Sequence, residues 1–398
     1  MSQPIRKNIQ EVHKDIIKEE PIYTLLVDGG GLLFHCMRDE TVSCKNGEHV
    51  GGISQFLLQL RKQLSKKSFD YIYVFFDNEY SGWLRWNIYK EYKANRDKKY
   101  YEYGLSDYMK EYNANLKRMQ DFIFNKDKKT TPKKEKSEQE TFIDENFTRE
   151  RDKLCEIFNE LYIRWQIDDI TEGDDLIAYY CLNKKPNEKI VIMTGDLDLY
   201  QLLSDDICIY NLDDKKYFTK ASFKEKYKYP SENILVKKIF TGDSSDNIGN
   251  IALLSEDRFF KIMPEAKEKP VSINDVRARV LELMDERTKT KKKPLKLYEN
   301  IIRGVSNKQY DDDFYTVNEK IINLKKPLLS DEAKNELDST MYAPQDIENR
   351  TFENLFILIN DIGITSLMGE TNFASFFVPF KTYVEKEKKY YNEWLKNC

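Results

Sequence analysis

Four aspartates stand where three apolar runs stop: Asp28 after IYTLLV, Asp77 after IYVFF, and Asp196 with Asp198 in TGDLD after KIVIM. Glu172, Asp174 and Asp175 stand close together in EGDDLIAYYC, and Asp243 and Asp246 lie three apart in IFTGDSSDNIGN. Taken singly, such acids are ordinary turn and cap residues. Gathered, they are costly: two carboxylates about 4 Å apart repel by about 4 kcal/mol at an effective dielectric of about 20, unless cations neutralise them. Oxygen-only ligands without His or Cys suit Mg2+ or Mn2+ better than Zn2+. Two such ions about 4 Å apart suit in-line phosphodiester cleavage, one activating water and the other stabilising the leaving oxygen.

The elements that must gather these acids are visible in the same string. Residues 22–27, 70–76 and 189–193 are short runs rich in β-branched and aromatic residues and read as buried parallel strands. Helical patterns at 52–64 and 149–162 lie between them. Such alternation predicts an α/β fold, a mostly parallel central sheet flanked by helices. Ligands of an open parallel sheet collect outside the carboxyl ends of its strands, so the strand-end acids would converge on one crevice. EGDDLIAYYC reads as a helix start, with Leu176, Ile177, Tyr180 and Cys181 toward the sheet and its first-turn acids toward the crevice. Asp243 and Asp246, placed on a helical turn, would face the same way.

Charge is segregated. The formal net charge over 398 residues is −4, yet WLRWNIYKEYKANRDKKYY (83–101) sets Arg85, Lys90, Lys93, Arg96, Lys98 and Lys99 against Glu91 and Asp97, among aromatic rings. An acidic chain can thus present a basic groove to nucleic acid. The six cysteines form no CxxC pair and the three histidines offer no zinc-like spacing, so structural zinc and a disulfide framework are not expected. With no apolar run of membrane-spanning length and no secretory leader, a cytoplasmic location is expected, the host cytoplasm if the chain is phage-encoded. Residues 125–148, rich in Lys and Glu, read as a solvated, mobile insertion.

The ordered set DGGGLL, FFDN, EYKANR, EGDDLIA, TGDLDLYQLL and GDSSDN resembles the 5′-nuclease superfamily, which includes flap endonucleases and the 5′-nuclease domain of bacterial DNA polymerase I. The resemblance is nearest to the bacteriophage RNase H type and covers about residues 22–260. It implies a PIN-like 5′-nuclease fold with a helical arch and a smaller C-terminal helical region. Residues 1–20 would be a tail, 21–235 the nuclease domain, with its arch at about 79–124 and the insertion at 125–148, and 236–398 a helical duplex-binding region. It implies a first metal held by Asp28, Asp77, Asp174 or Glu172, and Asp196, a second held by Asp198, Asp243 and Asp246, and Asp175 adjoining. Mg2+ would fill both sites, with Mn2+ as a substitute. Asp28, Asp77 and Asp196 would be catalytic through the metals, and Lys93 and Arg96 catalytic at the scissile phosphate. Arg85, Lys90, Lys98 and Lys99 would bind nucleic acid, and Tyr92 would stack on a base.

The activity so implied is that of a 5′-3′ exonuclease and flap endonuclease removing primers or flaps from DNA or RNA-primed DNA. Its partners would be DNA and RNA–DNA hybrid with 5′ ends or flaps, with a single-strand-binding protein or replication clamp as further candidates. A monomer without membrane contact is expected. The family's GxGxKTA turn, which holds K+ on the duplex, is missing after GDSSDN, so K+ is a doubtful cofactor. Two alternatives stand beside this reading, a PIN-type ribonuclease and a catalytically silent nucleic-acid-binding factor on a nuclease scaffold. The presence of all nine family carboxylates argues for an active enzyme, and the basic segment with Asp243 and Asp246 argues against the PIN-type ribonuclease. A DxD-type phosphatase is excluded because Asp28 is followed by Gly29 and Gly30.

Overall fold

A computed structural model describes residues 20–38, 48–96, 100–104, 137–346 and 350–397. Its centre is a six-stranded sheet in the order β3-β2-β1-β4-β5-β6. The strands are β1 (Ile22–Asp28), β2 (Tyr71–Phe76), β3 (Arg164–Ile167), β4 (Glu188–Thr194), β5 (Ile207–Asn211) and β6 (Lys216–Phe218). All neighbours run parallel except β6, which is antiparallel to β5. The predicted α/β class and all three predicted strands are present; β3, β5 and β6 extend the sheet beyond them. Chain order moves outward from β1 in one direction and from β4 in the other, so the crevice of such a sheet lies between the ends of these two strands.

Both faces are covered. Helices α1 (Gly29–Met37), α2 (Gly51–Lys66) and α4 (Glu138–Glu160) pack on one face, and α5 (Gly173–Leu182) and α6 (Lys220–Tyr227) on the other; α3 (Trp83–Ile88) follows β2. Further along lie α7 (Ile234–Thr241), α8 (Glu256–Ile262), α9 (Ile273–Lys289), α10 (Lys296–Arg303), α11 (Phe314–Ile322), α12 (Asp331–Thr340), α13 (Phe352–Ile362) and α14 (Glu370–Asn397). Among the described residues, no helix is long and apolar enough to cross a membrane.

Packing divides the chain differently from the expected boundary at 236. Residues 236–322 do form a core of their own, which also takes in Tyr89 and Tyr92. Beyond it the chain returns to the sheet: Leu324, Ala333 and Leu337 join the core beneath α5, and Leu355, Ile359, Phe377, Phe380 and Tyr383 join the opposite one. The aromatic-rich faces of α13 and α14 bury their apolar side chains in the core on the sheet.

The expected insertion at 125–148 is also corrected. Residues 125–136 lie outside the described residues, but Ser137 caps α4 in a reciprocal capping box with Glu140. Ile143 is buried, with Phe142 and Phe147 packed against the same core. The Lys and Glu composition hid one apolar stripe. Exchanging 137–148 for a Gly/Ser linker is therefore expected to lower the melting temperature, by removing a cap of about 1 kcal/mol and the burial of Ile143, about 2 kcal/mol. An unchanged thermal melt would return the segment to a solvated loop.

Candidate metal centre

Each acid is placed by a local backbone device. Asp28 ends β1, and its carboxylate accepts hydrogen bonds from Gly31 N (2.7 Å) and from Thr194 Oγ1 at the end of β4 (2.8 Å). A Cβ on Gly31 would stand 2.3 Å from Asp28 Oδ2, so only glycine lets the helix start this close to the carboxylate. Asp77 follows β2 and accepts from Gly173 N at 2.7 Å, which ties it to the start of α5. Asp196 accepts from Asp198 N at 2.7 Å, and its own N–H donates to Thr194 Oγ1. Asp174 lies in the first turn of α5, Glu172 at its N-cap, and Leu176, Ile177, Tyr180 and Cys181 are buried beneath it.

Asp243 and Asp246 come together by a different route from the helical turn expected. Helix α7 ends at Gly242 (φ +69°), where a Cβ would meet Ile248 O at 2.7 Å. The chain then closes a tight turn, Asp243 N donating to Ile248 O (3.1 Å) and Ile248 N to Asp243 O (2.7 Å). This turn, not a helix, aims both carboxylates inward. Asp198, Asp243 and Asp246 offer oxygens that lie within 4.8 Å of one another.

Eight of the nine acids line one cleft of about 220 Å³: Asp28, Asp77, Glu172, Asp174, Asp196, Asp198, Asp243 and Asp246. The ninth, Asp175, points away, into a buried ion pair with Arg85, and accepts from Leu328 N. Burial and the neighbouring Asp196, Asp28 and Asp77 push the Asp174 carboxyl well above the usual range, and burial lifts Asp28 to about 6. Glu172 is the opposite case: burial opposes its charge, but Lys93 and Arg85 outweigh that and hold it at about 2. Among the described residues, no basic side chain pairs with Asp28, Asp77, Asp174 or Asp196.

The basic residues divide into buried and open groups. Arg85, expected on nucleic acid, is only 5% exposed and pairs with Glu172 and Asp175 while donating to Ile321 O; two acids and a carbonyl absorb its fork. Tyr92, expected to stack on a base, is 2% exposed, and its hydroxyl donates toward Glu172 and Asp246, so the reading as a stacking platform gives way to packing. Lys93 is buried against Glu172. Arg96 is open, its side chain 45% exposed, and reaches Asp246 at 2.8 Å. Lys90 is exposed beside Asn87, its ammonium over the Trp86 ring. Lys98 and Lys99 lie outside the described residues.

One residue was missed. Lys238, on α7, pairs with Asp198 and with Asp243 at 2.6 Å, lining the same cleft. Burial works against its charge, but Asp198 and Asp243 hold the proton more tightly than usual. The signal was a lysine five residues before Asp243, on the polar side of a short apolar helix, and a search for acids alone passes over it.

Four unpaired carboxylates in one cleft should destabilise the cation-free fold. Because the folded pKa of Asp174 is raised, its charge costs nothing below the ordinary carboxylate range and an increasing amount as pH rises above it. Asp174→Asn is expected to raise the melting temperature in chelator at pH 7, by on the order of 1 kcal/mol, roughly 2 °C. The gain should shrink toward pH 5. A lower melting temperature for the variant would contradict this account.

Residues 23–228 match the family model described as 5′-3′ exonuclease, N-terminal resolvase-like domain. Among curated proteins, DNA polymerase I of Bacillus subtilis is 26% identical over 247 residues, 61% of this chain and 23% of that protein. The 5′-3′ exonuclease of Buchnera aphidicola is 37% identical over 83 residues, 20% of this chain and 28% of that protein. The thermostable DNA polymerase I of Thermus filiformis is 34% identical over 97 residues, 24% of this chain and 11% of that protein. The chain covers less than a third of the length of each of these relatives. Among solved structures, the bacteriophage T5 flap endonuclease in a pseudo-enzyme–product complex with DNA and metal ions superposes with a TM-score of 0.53 at 16% identity, covering 85% of this chain and 97% of that one. The T5 5′-exonuclease with bound zinc gives 0.52 at 16%, covering 92% and 99%. At such identity the likeness is one of fold.

Proposed function

Because this chain belongs to the 5′-3′ exonuclease family marked by the N-terminal resolvase-like domain, we propose that it hydrolyses phosphodiester bonds near the 5′ ends of branched or duplex DNA and of RNA-primed DNA. It acts as a flap endonuclease and 5′-3′ exonuclease and removes flaps or primers. The observation that carries this reading is the set of Asp28, Asp77, Asp174 and Asp196 in one cleft without a basic partner among the described residues. An all-oxygen set of this kind fits Mg2+ or Mn2+.

The first ion would be held by Asp28, Asp77, Asp174 and Asp196, and the second by Asp198, Asp243 and Asp246. Between the alternatives Asp174 and Glu172, Asp174 is favoured, because Glu172 is already neutralised by Lys93 and Arg85. When bound, the ions supply an activated water and stabilise the leaving oxygen. The protein's own side chains do the rest. Lys93 and Arg96 stand at the cleft with cationic groups that can meet phosphate oxygens. Lys238 neutralises Asp198 and Asp243 until cations replace it. Lys90, exposed beside Trp86, suits a strand entering from the arch side.

End-labelled flap, nicked and RNA-primed duplexes digested with Mg2+ and resolved by length test this directly. Short products released from 5′ ends and cuts at the flap junction are the expected result. Binding without cleavage at any Mg2+ or Mn2+ concentration would leave a silent binding factor, and cleavage of single-stranded RNA alone would leave a PIN-type ribonuclease.

A further inference from the structure

The turn that carries Asp243 and Asp246 is braced from outside by a loop some sixty residues downstream, between α10 and α11. Asn247, immediately after Asp246, adopts a left-handed backbone (φ +59°), a conformation that asparagine tolerates but does not hold unaided. Two elements hold it. Its side-chain amide donates to Glu91 O at 2.6 Å. From the other side, the Lys308 ammonium donates to Asn247 O at 2.9 Å and also to its side-chain oxygen.

Two residues further on, Gly249 N donates to the Tyr310 hydroxyl at 2.9 Å, and that hydroxyl donates to Asn318 Oδ1 at 2.8 Å. The Asn318 amide returns to Gly249 O and to Ile239 O of α7, both at 3.1 Å. The Tyr310 ring stacks on Tyr89, centroids 4.6 Å apart and planes 12° apart. Lys308 lines a pocket with Glu91, Asp311 and Asp312, yet spends its donors on the neutral oxygens of Asn247. That choice makes sense for a brace and little for a surface ion pair.

We infer that Lys308 and Tyr310 are positioning residues for the second cation site, a latch that fixes the backbone at Asn247 and Gly249 and so keeps the Asp246 carboxylate grouped with Asp243 and Asp198. The inference rests on the reading that this group takes a divalent ion. It also gives the loop at 304–313 a role: this loop lies along the acidic turn through the bridge between Ile251 and Ser306 and the Asn250–Asn307 hydrogen bonds.

The test is a Mn2+ titration of the full chain, with free Mn2+ read by electron paramagnetic resonance, beside thermal melts and flap-DNA affinity in chelator. Asp198→Asn identifies which class of bound ion belongs to the second site. Lys308→Met and Tyr310→Phe should each weaken that class by about 10-fold, the lower end of what residues that orient ligands contribute. The other class and the chelator-phase DNA affinity should stay as in the wild type, the melting temperature falling only by what the lost hydrogen bonds contribute. Lys308→Arg, which keeps the donors, should recover most of the loss. Wild-type binding in both variants, or equal weakening of both classes together with a lower melting temperature, would overturn the latch. If the wild-type chain retains no Mn2+ at all, the two-ion reading itself fails and the latch falls with it.

Discussion

Asp77→Asn is expected to lower single-turnover cleavage of a flap substrate by roughly 10³-fold or more, while flap-DNA binding in chelator is unchanged or tighter. The asparagine oxygen can still accept the hydrogen bond from Gly173 N, so the junction of β2 with α5 is kept and only the negative charge is lost. Asp196→Asn should behave alike, since its amide oxygen can still accept from Asp198 N. Removing one charge from a repelling group should not weaken the fold or the attraction of a polyanion. Retention of wild-type turnover by either variant in saturating Mg2+ would remove that residue from the first ion's ligands.

Lys93→Ala carries the second large effect. The Lys93 ammonium lies buried against Glu172, within the field of Asp246 and Asp77, and on the proposed reading it meets the phosphate on which charge grows. Contacts made chiefly in the transition state change the saturated rate more than affinity. A fall of roughly 10²-fold or more in the single-turnover rate is expected, with duplex affinity little altered. Lys93 sits at φ +51°, and alanine meets the same backbone cost as lysine there, so the comparison is not confounded by strain. Lys93→Met, which keeps the volume, should match it. Arg96→Ala is expected to lose less rate and more of the salt dependence of binding, because its side chain is half exposed. Single-turnover rates at saturating enzyme, with binding across a salt series, separate the two. An unchanged saturated rate in Lys93→Ala would make it a backbone grip.

The parts of this site that were legible in the sequence share one property: the information is local. Apolar runs at 22–27, 70–76 and 189–193 declare strands, and the acid after each declares the crevice. What stayed hidden depends on partners far along the chain. β3 is four residues long and carries Arg164 inward, which makes sense only beside Glu387 of α14. Arg85 and Tyr92 looked like parts of a groove because their acidic partners, Glu172, Asp175 and Asp246, lie about eighty to more than a hundred and fifty residues away. Asp243 and Asp246 do lie together in the cleft, but their spacing suits a helix and a closed turn equally well. β5, ICIYN, was readable as an apolar run after Asp205 and Asp206 and was passed over.

The last helix gives the fold a timing. Phe377, Phe380 and Tyr383 of α14 sit in the same core as Leu25 of β1 and Ile72 of β2. The Tyr383 hydroxyl accepts from Ile72 N, and Lys386 pairs with Asp70 at the entrance to β2. β2 is thus sealed by a helix whose contacting residue lies 311 positions further along the chain. Contacts of such sequence separation close slowly and only once the intervening chain is available. A chain cut before α14 would carry every acid of the cleft on a sheet whose face toward Phe377, Phe380 and Tyr383 is uncovered, with Leu25 and Ile72 no longer sealed beneath them.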